Sequence, residues 1–321
     1  MTHYWEKLGQ LFWPDPKNYK LHPKLLTHAA NPLAIHLHDD VFRVLYSGRD
    51  GRNRSSVGGV DVDIVKRKVI KYYEEPFFQH GKPGSFYADG VSIGCSYAVN
   101  QTRYILFMGW QNPRDKHWRG DIGRLVVNSD LSLSLESEIP HLGCNEIDPI
   151  SLSYPWVEPS GNGGFDMWYG STKSWDAGNG EMIHTINHAY SVDGHTWERK
   201  GLAIPFEKGN FQAFSRPTVL RRDSSYNMWF SYRSGSGEKY RIGYAQSNDA
   251  ISWSTDLIKN AGIDISASGW DSEMIEYPYV FNHKESTYML YNGNNFGVTG
   301  FGLATAHPDD LIRINKTINK N

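Results

Sequence analysis

The sequence is poor in several features that would point to particular functions. It has only two cysteines, Cys95 and Cys144, and neither belongs to a Cys-x-x-Cys pair. A disulfide scaffold is therefore not expected, and both read as reduced, buried thiols. No apolar run approaches the roughly 18 residues of a membrane helix, so no membrane span is expected. The opening Met-Thr-His-Tyr-Trp-Glu-Lys has no apolar signal core, which leads to the expectation of a cytoplasmic protein. Charge of one sign is also missing. The 33 basic and 35 acidic residues leave a formal charge of -2, which argues against a nucleic-acid or polybasic membrane binder. No segment keeps helical periodicity over three turns, no glycine-rich loop joins a strand to a helix, and the 13 histidines show no paired-ligand spacing on a helix. No metal site is expected; a Ca²⁺ ion or inorganic phosphate has no motif of its own here.

What the chain has in quantity is aromatic residues, at 14%, and 31 glycines. With 39% hydrophobic and 21% charged residues it can build a packed core, and this balance favours short strands and tight turns. One phrase recurs through its 321 residues: Phe42 to Gly48, Tyr104 to Trp110, Phe165 to Gly170, Tyr226 to Tyr232 and Thr287 to Gly293. Its equivalent positions are Val44, Leu106, Met167, Met228 and Met289, separated by 62, 61, 61 and 61 residues. Each phrase follows an apolar run, opened by Asn31-Pro32, Tyr154-Pro155, Arg216-Pro217 or Tyr277-Pro278, with Asp89-Gly90 taken as the counterpart in the second copy. A third run leads into Asp193-Gly194 or Asn248-Asp249 and then to Trp197 or Trp253.

Four strands per period, repeated radially, predict an all-β fold: a five-bladed β-propeller with four-stranded blades. The last copy runs out after Gly302-Leu303-Ala304, while Trp5-Glu6-Lys7-Leu8-Gly9 matches Trp197-Glu198-Arg199-Lys200-Gly201. The N-terminal strand, about residues 3–12, is therefore expected to close the last blade of a single domain spanning 1–321. Residues from about 309 to 321 are expected to form a short helix or a tail.

Inner-strand openings converge on the funnel of a propeller. Asn31, Asp89, Tyr154, Arg216 and Tyr277, with Asp148 and Glu276 nearby, form a candidate polar ring. Arg216 could clamp an anion. Arg49 and Arg233 belong to basic loops after second strands. His188 breaks the repeat where Tyr244 stands, and Glu146 precedes the third inner strand with Asp148. Trp110, Trp118, Trp175 and Trp270 lie outside the repeated tryptophan positions, so they are candidates for stacking on sugars. Trp5, Trp197 and Trp253 recur in register and read as packing.

This pattern resembles the five-bladed propellers of glycoside hydrolase families 43, 32, 68, 117 and 130. Glu276-Tyr277-Pro278 is similar to the Glu-x-Pro that carries the general acid in family 43, and Asp89 matches the second-blade Asp by strand position. The resemblance implies a carbohydrate-active enzyme with Asp89, Glu276 and Asp148 as catalytic candidates. Asn31, Arg49, Trp110, Glu146, Tyr154, His188, Arg216, Arg233 and Tyr277 would bind substrate. Two departures matter. Asn31 stands where families 43 and 32 have Asp, and Asn is not a useful base; the Glu-x-Pro falls in the last blade. The first expectation is a glycoside hydrolase with acidic side chains as acid and base; the alternatives are phosphorolysis or transfer from a sugar phosphate, and glycan binding without catalysis. The expected partner is a carbohydrate or sugar phosphate.

Overall fold

The computed structural model describes residues 4–222, 225–235, 237–255 and 258–306. Nearly all regular structure is β. The first blade contains β2 (Thr27–His38), β3 (Val41–Arg49), β4 (Ser55–Asp63) and β5 (Lys68–Phe78). The second contains β6 (Gly90–Val99), β7 (Thr102–Gln111), β8 (Arg119–Val127) and β9 (Leu133–Leu135). The third contains β10 (Leu152–Pro159), β11 (Phe165–Ser174), β12 (Ile183–Ser191) and β13 (Glu198–Leu202). The fourth contains β14 (Ala213–Arg222), β15 (Ser225–Arg233), β16 (Arg241–Ser247) and the short β17 (Trp253–Ser254). The last contains β18 (Glu276–His283), β19 (Ser286–Asn292) and β20 (Phe301–Ala306), with β1 (Glu6–Phe12) outermost. Strands within a blade are antiparallel. The inner strands touch in a closed cycle, β2 to β6 to β10 to β14 to β18 and back to β2. This is a propeller arrangement.

The repeat is explained by packing. Val44, Leu106, Met167, Met228 and Met289 all lie on second strands with no solvent exposure. Each fills the layer between neighbouring sheets, where loss of a side chain leaves a cavity. The Asp turns also repeat. Asp193 Oδ1 accepts hydrogen bonds from the His195 and Thr196 amides, both at 2.8 Å. Asp249 Oδ1 accepts from Ile251 at 2.9 Å and Ser252 at 2.7 Å. The Ser252 amide leads the contacts that pull the Asp249 carboxyl down to about 2, although partial burial opposes them.

Closure follows the expected course. Strand β1 pairs antiparallel with β20, from Glu6 opposite Thr305 to Phe12 opposite Phe301. Phe12 is buried against Tyr19, Tyr46 and Phe301, and Lys7 meets Asp271 at 2.7 Å. The tail expected from about 309 to 321 lies outside the described residues, as do residues 1–3. Cys95 is buried and Cys144 half-buried, and both are free thiols. Among the described residues no helix is long and apolar enough to cross a membrane.

Candidate functional site

The inner strands share a local distortion that aims their openings at one mouth of the ring. In four blades, two residues of the inner strand face one of the second strand. Asn31, Tyr154, Arg216 and Tyr277 sit at these bulges with φ of 54°, 32°, 47° and 52°. A following proline disfavours the right-handed helical region for each of them. Left-handed geometry at non-glycine residues is strained, and it persists only where the surroundings enforce it. The second blade lacks the proline, and its bulge lies instead at Gly94–Cys95. Val91 pairs with Gly109 as Ser153 pairs with Gly170, so Ser92 occupies the ring position expected from the sequence for Asp89.

A cavity of about 400 Å³ opens at this mouth. Of the expected site residues, Arg49, Trp110, Tyr154, Arg233 and Tyr277 line it. Arg49 and Arg233 stand at the same repeat position, five residues beyond Val44 and Met228. Arg49 donates from Nη1 to Asn53 Oδ1 at 2.6 Å. Arg233 donates from Nη2 to Glu181 Oε1 at 2.7 Å and lies 4.5 Å from the Tyr240 ring centre. The Tyr154 and Tyr277 rings are 5.3 Å apart. Among the described residues, no Asp or Glu side chain is in the wall.

Glu276 lies directly behind it, one residue from Tyr277. It is fully buried, and neither carboxyl oxygen has a hydrogen-bond partner among the described residues. Burial pushes its carboxyl well above the ordinary value, against the opposing pull of Arg233 and Arg49. At the matching position the other blades carry Ala30, Val91, Ser153 and Ser215, so a carboxyl here breaks the repeat.

The other expected residues lie elsewhere. Asp89 is half-buried outside the wall, and its Oδ2 accepts the Asn112 amide at 2.7 Å. Asp148 is buried beneath blade three, where it accepts from Ser171 at 2.6 Å, Tyr169 at 2.7 Å, Asn187 at 2.7 Å and Arg199 at 2.8 Å. Burial pushes its carboxyl up, yet these donors with Lys173 hold it below the ordinary value. Glu146 is exposed on the preceding loop. His188 Nε2 meets Asp166 Oδ1 at 2.8 Å inside the sheet, matching the pair of Tyr244 with Asn227 one blade on. The broken repeat at His188 is thus a paired exchange that keeps one buried hydrogen bond.

Arg216 is not at the cavity wall either. Its guanidinium donates to the carbonyls of Tyr277 at 2.7 Å and Pro32 at 2.6 Å, with longer bonds to Pro278 and Gly94. From blade four it ties the inner strands of blades one, two and five, and burial draws its pKa down to about 10. Asn31 is buried; its backbone N–H donates to Asn292 Oδ1 at 2.9 Å.

Sequence reasoning missed His184, which lies in the wall. Its Nε2 is 2.6 Å from Ser153 Oγ and its Nδ1 2.8 Å from Thr172 Oγ1, and burial lowers its pKa to about 3. Gly170 makes that approach possible: a Cβ there would lie 2.0 Å from Ser153 Oγ and 2.4 Å from His184 Nε2. The repeat offered little signal: at the position of Gly170 the other copies carry Ser47, Gly109, Ser231 and Asn292, so a glycine there is shared with the second copy. Among the described residues no group of three or more His, Cys, Asp or Glu is placed to hold a metal ion.

No protein-family model matches the chain. Two Mycobacterium tuberculosis proteins, uncharacterized protein MT1551 of strain CDC 1551 / Oshkosh and uncharacterized protein Rv1502 of strain ATCC 25618 / H37Rv, are each 41% identical to it over 302 residues. The alignments cover 94% of this chain and 98% of each relative. The chain belongs to their family. Among solved structures, a glycosyl hydrolase from Bacteroides ovatus matches with a TM-score of 0.70 at 13% identity, over 96% of this chain and 95% of that one. A structure described as belonging to "the GH130 family of mannoside phosphorylases", which "contains glycoside hydrolases that target beta-1,2 mannosidic linkages in Candida mannan", matches at 0.69 and 13%, over 96% and 95%. Sucrose-6-phosphate hydrolase from Lactobacillus gasseri matches at 0.63 and 11%, over 89% of this chain and 59% of that one. At these identities the likeness is one of fold.

Proposed function

We propose that this protein cleaves or forms a glycosidic bond in the central cavity, with phosphate or a phosphorylated sugar as the group held by Arg49 and Arg233. Glu276 is the proton donor to the leaving oxygen, and to reach it the carboxyl turns out past Tyr277 into the cavity, since at rest it is buried behind the wall. The observation that carries the reading is the makeup of the wall among the described residues: two arginines, Arg233 paired with Glu181 outside the wall, no carboxylate in the wall itself, and one unpartnered buried carboxyl behind it. A buried acid kept uncharged is suited to general-acid work near neutral pH. Guanidinium groups hold phosphate oxygens through paired N–H donors. Hydrolysis by two carboxylates requires a second, ionised acid to activate water, and the described wall has none.

A water-using glycosidase is the second reading. It is favoured by the neighbours named as hydrolases, including one that acts on sucrose 6-phosphate. In that case Asp89, close to the cavity through Asn112, would have to swing inward as the base. Incubation with a panel of aryl glycosides, with and without inorganic phosphate, separates the two. Phosphate-dependent release is the expected result; release that ignores phosphate would overturn the first reading. Glu276→Gln is expected to lower turnover by about a hundredfold or more, the usual size of a general-acid contribution.

A further inference from the structure

Three tryptophans gather at the mouth: Trp110, whose Nε1 donates to Ser55 Oγ at 3.0 Å, and the touching pair Trp118 and Trp175. Trp168, Trp229 and Trp253 are buried within the blades. Trp118 and Trp175 belong to neither hydrophobic core cluster. Trp118 comes from the loop joining β7 to β8 and forms part of the cavity wall. Trp175 comes from the corresponding loop of the next blade, joining β11 to β12. The two indoles meet edge to face, 4.8 Å apart at 75°, and the exposed His117 ring stacks on Trp175 at 4.7 Å and 18°. They therefore make one aromatic surface that starts in the cavity and runs outward over blades two and three.

The surface is held in place. Asp176 Oδ1 accepts the amides of Gly178 at 2.7 Å and Gly180 at 3.1 Å, and Ser174 Oγ donates to the Asp176 carbonyl at 2.6 Å. The turn beside Trp175 is thus fixed by its own hydrogen bonds. Indole faces left half-exposed by an ordered turn bring little to blade packing. They suit a flat apolar ring face with polar edges.

We propose that Trp118 and Trp175 form a stacking subsite for the second ring of an oligosaccharide whose terminal unit occupies the cavity. The proposal rests on the carbohydrate reading above and deepens it: the substrate has at least two sugar units. His117 covers the face of Trp175 that the sugar takes, and it moves aside on binding.

The test is titration of the full chain with mannose, glucose and galactose and with their di- and trisaccharides, followed by calorimetry and tryptophan fluorescence. For at least one series the disaccharide is expected to bind about tenfold more tightly than the monosaccharide, the worth of roughly one stacked ring. Trp175→Ala is expected to erase that difference while leaving monosaccharide affinity unchanged, and His117→Ala to preserve or strengthen disaccharide binding. Equal affinity for one and two units in the unmodified protein, or a Trp175→Ala variant that still prefers two, overturns the subsite and leaves the cavity reading intact. Absence of binding to every sugar in the panel, with inorganic phosphate present or absent, overturns both. Unchanged near-ultraviolet circular dichroism of Trp175→Ala guards against loss of fold.

Discussion

Asp148 and Glu276 make an instructive pair. Both are acids next to an inner-strand opening, and both are removed from solvent. Beneath blade three, Asp148 is surrounded by the hydroxyls of Ser171 and Tyr169, the Asn187 amide and the cations Arg199 and Lys173. Behind the cavity, Glu276 has no donor on either oxygen among the described residues. Burial pushes both carboxyls upward; donors reverse the shift in one and not in the other. The number of donors reaching the oxygens, and not depth alone, separates a buried carboxyl held low from one pushed high.

The largest effect expected from this contrast is on stability. Asp148→Ala leaves Arg199 and its neighbours buried without their partner, and should cost about 3–5 kcal/mol in denaturant unfolding. Glu276→Gln, which keeps the size of a side chain with no hydrogen-bond partner to lose among the described residues, should remain within about 1 kcal/mol of the unmodified protein. A larger loss for Glu276→Gln than for Asp148→Ala would break the comparison. Arg216→Met comes next, since it strips carbonyls of three inner strands of a donor and should cost about 3 kcal/mol by the same assay.

The pH dependence sharpens the contrast. A carboxyl whose folded pKa is raised binds its proton more tightly when folded, so its contribution is present below the unfolded value and is lost as pH rises through the folded one. Glu276 therefore penalises the folded state on the alkaline side, and Glu276→Gln should flatten that decline in melting temperature. Asp148, held low, contributes above its unfolded value and loses that contribution as pH falls, so Asp148→Asn should flatten the acid limb instead. The smallest effect is expected for Lys173→Met. Its partly exposed ammonium lies 3.4 Å from Asp148 Oδ1, and removal should cost under about 1 kcal/mol by thermal melting.

The fold was legible because its signals are local and repeated. One apolar position per period, a proline after four of the five inner openings and the Asp turns of the third and fourth copies specify the same unit again and again. Where the proline is missing, in blade two, the sequence misleads on register, and Asp89 takes the place that belongs to Ser92. The site was legible only in part. Arg49 and Arg233 could be read from the period, but side chains that leave the repeat plane could not. Arg216 looked like an anion clamp because charge at a strand opening usually meets solvent; the carbonyls it meets come from three distant segments. His184 stayed hidden because its partners, Ser153 and Thr172, are brought together only by strand pairing.

The guanidinium of Arg216 has one more consequence. Bonded from blade four to carbonyls of blades one, two and five, it couples four inner strands through one side chain, so a shift of any one of them disturbs the contacts that hold the others.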